Sequence, residues 1–409
     1  MIMFIKLAWR NIFRNKRRTA IASTVVAIGL ASLIFVDALM IGMERDMIQS
    51  ATKSFMGEGQ IHREGFQETY AVEKTIANLD SLTKRLDNDE LVKNFSARVL
   101  SYAAISSPVN MSSVTMVGID PETEKYLSQI DDAIEKGSYF EEDGNERNIV
   151  IGKELAERLE VGIGDRVVLT VTQAETDNLS QELFRVSGIY FMNVDELDNG
   201  MTFVRIGKAR EMLNIGDGAH EIAIDFNNSS VGRNQDHPFW QKYSRHGNVA
   251  EGWAELMPQL ETAFELSRFS IYITGLILFG VVALGIINAL FMSLYERMYE
   301  FGILLAVGTR KTELARLIVF EAGALAIVSA VAGVLLGIVV NYIFGHIGFD
   351  FTGSEYSGVT FREPLYPVMT IGQYIIYPIL VFVFTLIVSL YPAIYAARLT
   401  PVKAMRKAY

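Results

Sequence analysis

Four long apolar runs constrain this chain more than any other feature: Thr19 to Met43, Phe269 to Tyr295, Leu317 to Ile347 and Tyr374 to Tyr395. A helix rises ~1.5 Å per residue, so each run is long enough to cross a hydrocarbon layer of ~30 Å. The expected fold is an α-helical membrane protein with four transmembrane helices. A polar insert of roughly 220 residues separates the first two runs, room for an independently folded domain on one side of the bilayer.

The segments follow from these runs. Residues 1–18 read as a cytoplasmic interfacial elbow helix, 19–45 as the first span, 46–267 as a large extracytoplasmic mixed α/β domain with helical stalks, and 268–295 as the second span. Residues 296–316 form a cytoplasmic loop, 317–347 the third span, 348–373 an extracytoplasmic loop, 374–397 the fourth span and 398–409 a cytoplasmic tail.

Flanking charge sets the expected orientation. Lys6, Arg10, Arg14, Lys16, Arg17 and Arg18 precede the first span, and Arg398, Lys403, Arg406 and Lys407 follow the last, with no acid in either group. Positive flanks stay cytoplasmic, so both termini are expected there. The insert from Asp46 to Ser267 holds 38 acids and 20 bases, −18 against −10 for the whole chain, which leaves +8 elsewhere. The acidic mass belongs outside. The first run exceeds a signal peptide's apolar stretch and lacks its cleavage site, so an anchor is expected. The chain has no cysteine, which excludes disulfides and thiolate chemistry but says little about compartment.

Lys6, Arg10, Arg14 and Arg17 recur at helical spacing beside Ile5, Trp9, Ile12 and Phe13, the pattern of a basic helix in the headgroup plane. The same charges could simply set topology. In the insert, helical character runs beyond the first span until Gly57 and Gly59 break it. Strands are expected at Val99 to Ser106, Ser113 to Gly118, Val167 to Thr172, Phe184 to Tyr190 and Glu221 to Phe226, with a helix at Lys153 to Leu159. Asn227 to Gly252 reads as a long polar loop, and Trp253 to Ser267 as a second helical stalk.

Enzyme chemistry finds no footing. Gly152-Lys153 and Gly207-Lys208 lack the earlier glycine and the following hydroxyl of a phosphate-binding loop. His62, His220, His237, His246 and His346 show no metal-ligand spacing, and His237 with His246 reads as a solvated pair. No G-x-S-x-G elbow is present. No cofactor is expected in this chain.

The loop between the second and third spans is more telling. From Glu296 to Arg316 it mixes charge with small residues, and Gly302 and Gly308 permit a close approach or a sharp turn. It reads either as a helix docking into another protein or as an ordinary solvated connection.

Its E-R-x-x-E-F-G-x-L-x-A-x-G stretch resembles the coupling segment of permeases in the FtsX, MacB and lipoprotein-releasing (LolC and LolE) superfamily of ATP-binding-cassette systems. The opening AWRNIFRNKRRT and the closing YPAIYAARLTPVKAMR are similar to that family's flanking motifs. IVIGKELAERLEVGIGDRVVLTV, FRVSGIY, GMERDM and WAELMPQLE resemble the lipoprotein-releasing branch. The resemblance covers essentially the whole chain. One departure is Leu305, where many relatives carry a basic residue.

The resemblance implies a permease subunit in the bacterial inner membrane, paired with a second copy or a related paralogue and with two separate ATPase subunits that hold ATP and Mg. Arg297, Glu300, Gly302, Gly308, Arg310 and Glu313 are then the expected ATPase-coupling residues. The expected cargo is a lipoprotein or other lipid-anchored molecule, with membrane lipids and a periplasmic chaperone as further partners and no nucleic acid. Export of peptides, drugs or lipids, or an FtsX-like scaffold that activates a cell-wall hydrolase, are the alternatives.

Asp37 lies in the outer third of the first span, where a carboxylate costs at least ~2.5 kcal/mol unless paired, hydrated or protonated. It reads as a polar point on the cargo route or as a side chain snorkelling to the interface. Met40, Met43 and Met47 on the first helix, and Phe269 and Ile273 on the second, each recur at helical spacing and are the expected lining of that route. Asn288 and Asn341 read as interhelical hydrogen-bond formers, and Ala322, Ala326, Ala330, Gly333 and Gly337 as a packing seam.

Overall fold

The computed structural model describes residues 10, 14, 16–140, 145–174, 178–356, 359–361, 364–398 and 400. Most of the expected elbow helix, and the closing motif at residue 399 and from residue 401 onward, lie outside the described residues.

Helix α1 (Lys16–Ala51) passes into a π turn at Thr52–Met56. Gly57 ends it with a φ of +82°, a conformation open chiefly to glycine. Next come β1 (Gly59–Arg63), α2 (Phe66–Thr69), α3 (Leu79–Asp87), β2 (Val92–Ser106), β3 (Met111–Ile119) and α4 (Pro121–Glu124). Then follow β4 (Ile134–Gly137), β5 (Asn148–Gly152), α5 (Lys153–Leu159), β6 (Arg166–Thr172), β7 (Leu179–Tyr190), α6 (Asp195–Gly200), β8 (Met201–Arg205) and α7 (Ile206–Leu213). The domain closes with β9 (Glu221–Phe226), α8 (Ser230–Arg233), α9 (Pro238–Tyr243), β10 (Asn248–Gly252) and α10 (Trp253–Leu256). The remainder is α11 (Pro258–Glu296), α12 (Met298–Ala306), α13 (Lys311–Ile347), the short pair β11 (Glu355–Tyr356) and β12 (Val359–Thr360), and α14 (Ile371–Ala397).

Two compact units result: Met1–Arg45 with Phe264–Asp350 and Pro364–Tyr409, and Asp46–Ala263 with Phe351–Glu363. The second is the mixed α/β domain. Its main sheet runs β10-β1-β9-β2-β3-β8-β5-β7-β4, with β6 paired to both β2 and β7; β3 with β8 and β5 with β7 are parallel, and the other pairs antiparallel. Strand β9 is buried nearly throughout: Ile222, Ala223, Ile224 and Phe226 are apolar, and the buried Glu221 at its start is paired with Arg98. In β6, Val167, Leu169 and Val171 point inward and alternate with Val168 and Thr170, the period of two that puts one face on a core.

The 15-residue β2 belongs to two parts of this sheet: Val92 to Arg98 pair with β9, and Val99 to Ser106 with β3. Arg98 sits at the junction. It is fully buried, 2.6 Å from Glu124 and 2.8 Å from Glu221, and its guanidinium lies 3.9 Å from the Phe55 ring centroid. Two carboxylates and a ring offset the loss of its hydration.

Asn227 to Gly252 is not a polar loop. It folds as α8, α9 and β10, because Phe239, Trp240 and Tyr243 bury against Phe226 and Ile224 despite polar neighbours. His237 is a helix cap: its Nδ1 accepts from the Phe239 amide at 3.2 Å, so it is not simply solvated. Gly59 opens β1 and breaks nothing; Gly57 alone makes the turn.

In the other unit, α1, α11, α13 and α14 contribute four helices long and apolar enough to cross a membrane. Half of the apolar window of α1 is buried against 22% of that of α11, so α1 is the central helix and α11 the peripheral one. The small-residue seam of α13 packs on α1 of the same chain: a Cβ added at Gly333 would lie 2.9 Å from Leu30 Cδ2, and one at Gly337 3.4 Å from Ile34 Cδ1. Backbones approach closely because these positions carry no side chain. Asn341 donates through Nδ2 to the Tyr374 hydroxyl at 3.1 Å, joining α13 to α14. Asn288 does not follow the expectation. It is exposed and makes no interhelical hydrogen bond among the described residues.

Candidate functional site

The segment between the second and third apolar helices is a helix and a turn. In α12, Met298, Phe301 and Gly302 face a core with Leu294, Leu314, Leu317 and Ala393, and Leu305 packs against its edge. A nine-residue helix is too short to hold itself in water, so this packing is what makes it form. Gly308, at φ +105°, turns the chain, and the amides of Gly308 and Thr309 return to the carbonyls of Leu305 and Leu304. Arg310 precedes α13, and Glu313 accepts from its amide at 3.1 Å.

The two glycines divide the expected roles: Gly302 lies buried inside α12, where the absence of a side chain permits a close approach, and Gly308 makes the turn. Arg297 is an internal strut, 12% exposed, with Nε 3.0 Å from Glu300 and Nη1 3.4 Å from the buried Glu321. Glu300 also meets Arg14 at 2.8 Å, and that hydrogen bond holds its carboxyl below the ordinary 4.5. The face left open is apolar: Tyr299, Ile303, Leu304 and Val307 are exposed, Val307 by 82%. Sequence reasoning looked for charges and missed them, although spacings of four, one and three place them on one helical side.

The second arrangement is a cavity of about 230 Å³ walled by α1, α11 and α14. Asp37, Met40 and Met43 line it from α1, Phe264, Arg268, Ile271 and Tyr272 from α11, and Tyr377 from α14. Asp37 accepts from Gln373 Nε2 at 2.9 Å and from the Tyr377 hydroxyl. It therefore faces the bundle, and does not snorkel away from it. Glu44 and Arg268 lie 3.6 Å apart on the same walls.

Three expected lining residues lie elsewhere. Phe269 and Ile273 sit on the outward side of α11, 61% and 45% exposed, in a stripe with Leu276 and Ile277. Met47 is fully buried and belongs to the α/β unit. Apolar residues occur on both the lining and the outward sides of α11, Ile271 on one and Phe269 and Ile273 on the other, so apolar spacing alone did not distinguish its lining face. Arg268 and Tyr272, four residues apart with a polar tip each, were the available signal.

The MacB-like periplasmic core domain family matches residues 19–230, and the FtsX-like permease C-terminal family matches 272–401. The lipoprotein-releasing system transmembrane protein LolE of Haemophilus influenzae is 22% identical, covering 82% of this chain and 81% of its own. LolC of Xylella fastidiosa is 21% identical over 96% of each chain. The pyoverdine export ATP-binding/permease protein PvdT of Pseudomonas syringae is 24% identical over 82% of this chain and 51% of its own length. The solved periplasmic region of MacB from Actinobacillus actinomycetemcomitans aligns with 50% of this chain and 92% of its own at 12% identity, with a TM-score of 0.34. The first family match spans more than half of the chain and the second takes in its last three apolar helices, so this chain belongs to the FtsX-like and MacB-like permeases.

Proposed function

We propose that this chain is the transmembrane permease subunit of an ATP-driven complex that extracts lipoproteins from the inner membrane. The α/β domain stands outside, both termini are cytoplasmic, and a second permease copy and separate ATPase subunits complete the assembly. ATP and Mg belong to those subunits. The observation that carries this reading is the cavity: Asp37, Glu44 and Arg268 share its walls with Met40, Met43 and Ile271, so polar and apolar groups meet at one place between the helices, as a lipid-anchored cargo needs. Burial contributes ~0.8 kcal/mol per methylene, so even part of an acyl chain binds firmly there. Names of relatives over nearly the full chain support the same cargo.

The ATPase docks on Ile303, Leu304 and Val307, the open side of α12. Movement of α12 reaches the spans through its packed side and through Arg297 and Glu321.

A photo-crosslinking residue at Met43 or Ile271 is expected to capture lipidated protein, and one at Ala330 in the seam is not. Capture of no lipidated species at Met43 and Ile271, in a complex that hydrolyses ATP, overturns the lipoprotein reading and favours the scaffold.

A further inference from the structure

Four parts of the α/β unit meet at Arg98: β2, which carries it, α4 through Glu124, β9 through Glu221, and the π turn at the end of α1 through Phe55. Nε and Nη2 donate to the two oxygens of Glu124 at 3.1 and 2.6 Å, and Nη1 donates to Glu221 at 2.8 Å, so the buried guanidinium has one orientation. Its Cζ stands 3.9 Å from the centre of the Phe55 ring. Stability alone does not call for this arrangement, because well-packed apolar groups of similar volume often serve as well as a buried ion cluster or better. What directed bonds add is a fixed position for the group that rests on them. Phe55 rests on these, and the chain beside it is held as well: the Lys53 carbonyl accepts from the Gln129 amide at 3.0 Å, and the Met56 carbonyl from Gln60 Nε2 at 3.0 Å. Short π turns of this kind occur frequently at functional sites. The helix that leads into this one begins in the unit of long apolar helices and ends in the α/β unit.

We propose that Arg98 is a positioning residue that holds Phe55 as a fixed joint, through which displacement of α1 is passed to the sheet. The inference rests on the reading above in which motion of α12 travels through the spans, and it names where that motion enters the α/β domain. Strand β2 pairs with β9 up to Arg98 and with β3 from Val99 onward, so a load arriving at Phe55 reaches both parts of the sheet at once. The Phe203 ring, 5.6 Å from that of Phe55, helps to bury it. The guanidinium links it to α4 and β9. A cation held against a ring face adds attraction without a new hydrogen bond, which leaves all three of the measured donor contacts of Arg98 to the carboxylates.

The test uses the complete complex with its ATPase in nanodiscs. Gln181→Cys on β7 and Leu276→Cys on α11 place one spin label in each unit of a chain that has no cysteine of its own, and pulsed electron resonance reads the distance between them with and without ATP trapped by vanadate. Two variants are compared with the otherwise unaltered chain. Phe55→Leu keeps apolar bulk and removes the ring, while Arg98→Met combined with Glu124→Leu and Glu221→Leu replaces the ion cluster by apolar groups. Trapping is expected to shift the distance in the unaltered complex, and the shift is expected to be lost in both variants while ATP hydrolysis continues. The triple variant should melt no lower than the unaltered chain, so loss of the shift there is not loss of the fold. A cluster with a merely structural role gives the opposite pattern, a changed melting temperature and a retained shift. If the triple variant does not fold, Phe55→Leu decides alone, and Phe55→Tyr, which restores a ring face, should recover the shift. A full shift in Phe55→Leu overturns the joint and leaves mechanical transmission in place. No shift in the unaltered complex overturns mechanical transmission and the joint with it.

Discussion

Arg14 Nη2 lies 2.8 Å from Glu300 Oε1, a contact between residues 286 apart in sequence that ties the segment before the first span to α12. Both side chains are largely exposed, at 60% and 43%, so the pair contributes at most ~1 kcal/mol to stability. Glu300→Arg should lower ATPase capture and stimulated turnover with little change in melting temperature, and combining it with Arg14→Glu should recover much of the loss. Unchanged co-purification in Glu300→Arg would remove this pair from the coupling machinery.

Val307→Glu probes the open face directly. Val307 is 82% exposed, so a charge there costs the subunit little, while a buried unpaired charge at an interface costs ~2 to 5 kcal/mol. Loss of ATPase subunits on size-exclusion chromatography, with normal membrane insertion, is the expected result.

Orientation is testable because the chain has no cysteine. Gln181→Cys lies in the α/β domain and Val307→Cys after α12. On intact spheroplasts an impermeant thiol reagent should label the first and spare the second; the reverse pattern inverts the topology.

His62 makes the α/β domain sensitive to pH. Burial disfavours its charged ring, but the hydrogen bond to Glu251 at 3.3 Å, the Arg63 carbonyl and the charge of Glu221 outweigh burial and raise its pKa above the ordinary 6.5. A raised folded-state value means a stabilising contribution that is full below pH 6.5 and fades as pH rises through the folded pKa. His220 works in the opposite sense: burial lowers its pKa. Melting curves at pH 6 and pH 8 should therefore differ between the unaltered chain and His62→Gln, with the variant losing more at pH 6.

Gly333→Ala should destabilise the bundle by ~1 to 3 kcal/mol, since its Cβ would meet Leu30 at 2.9 Å and the Ala27 carbonyl at 3.0 Å. Gly280→Ala, with nothing within 4 Å of its added Cβ, is the control and should be neutral or slightly stabilising. Detergent melting of both variants checks the difference.

The four spans and the insert between them were legible in the sequence because crossing a bilayer is a matter of length and hydropathy, both local properties. Local too were β9, which falls on Glu221–Phe226, and α5, which falls on Lys153–Leu159: each carries a complete pattern within six or seven residues. Tertiary structure decided what local pattern does not encode. Phe239, Trp240 and Tyr243 looked like parts of a loop until Phe226 supplied the surface they bury against. Phe269 and Arg268 are neighbours in sequence, yet only Arg268 lines the cavity, because in lipid both faces of a helix are apolar and packing chooses between them. The partners of Asp37 lie 336 and 340 positions away. Only a folded bundle brings Gln373 and Tyr377 to it, and that encounter turns an awkward residue in an apolar run into an oriented charge.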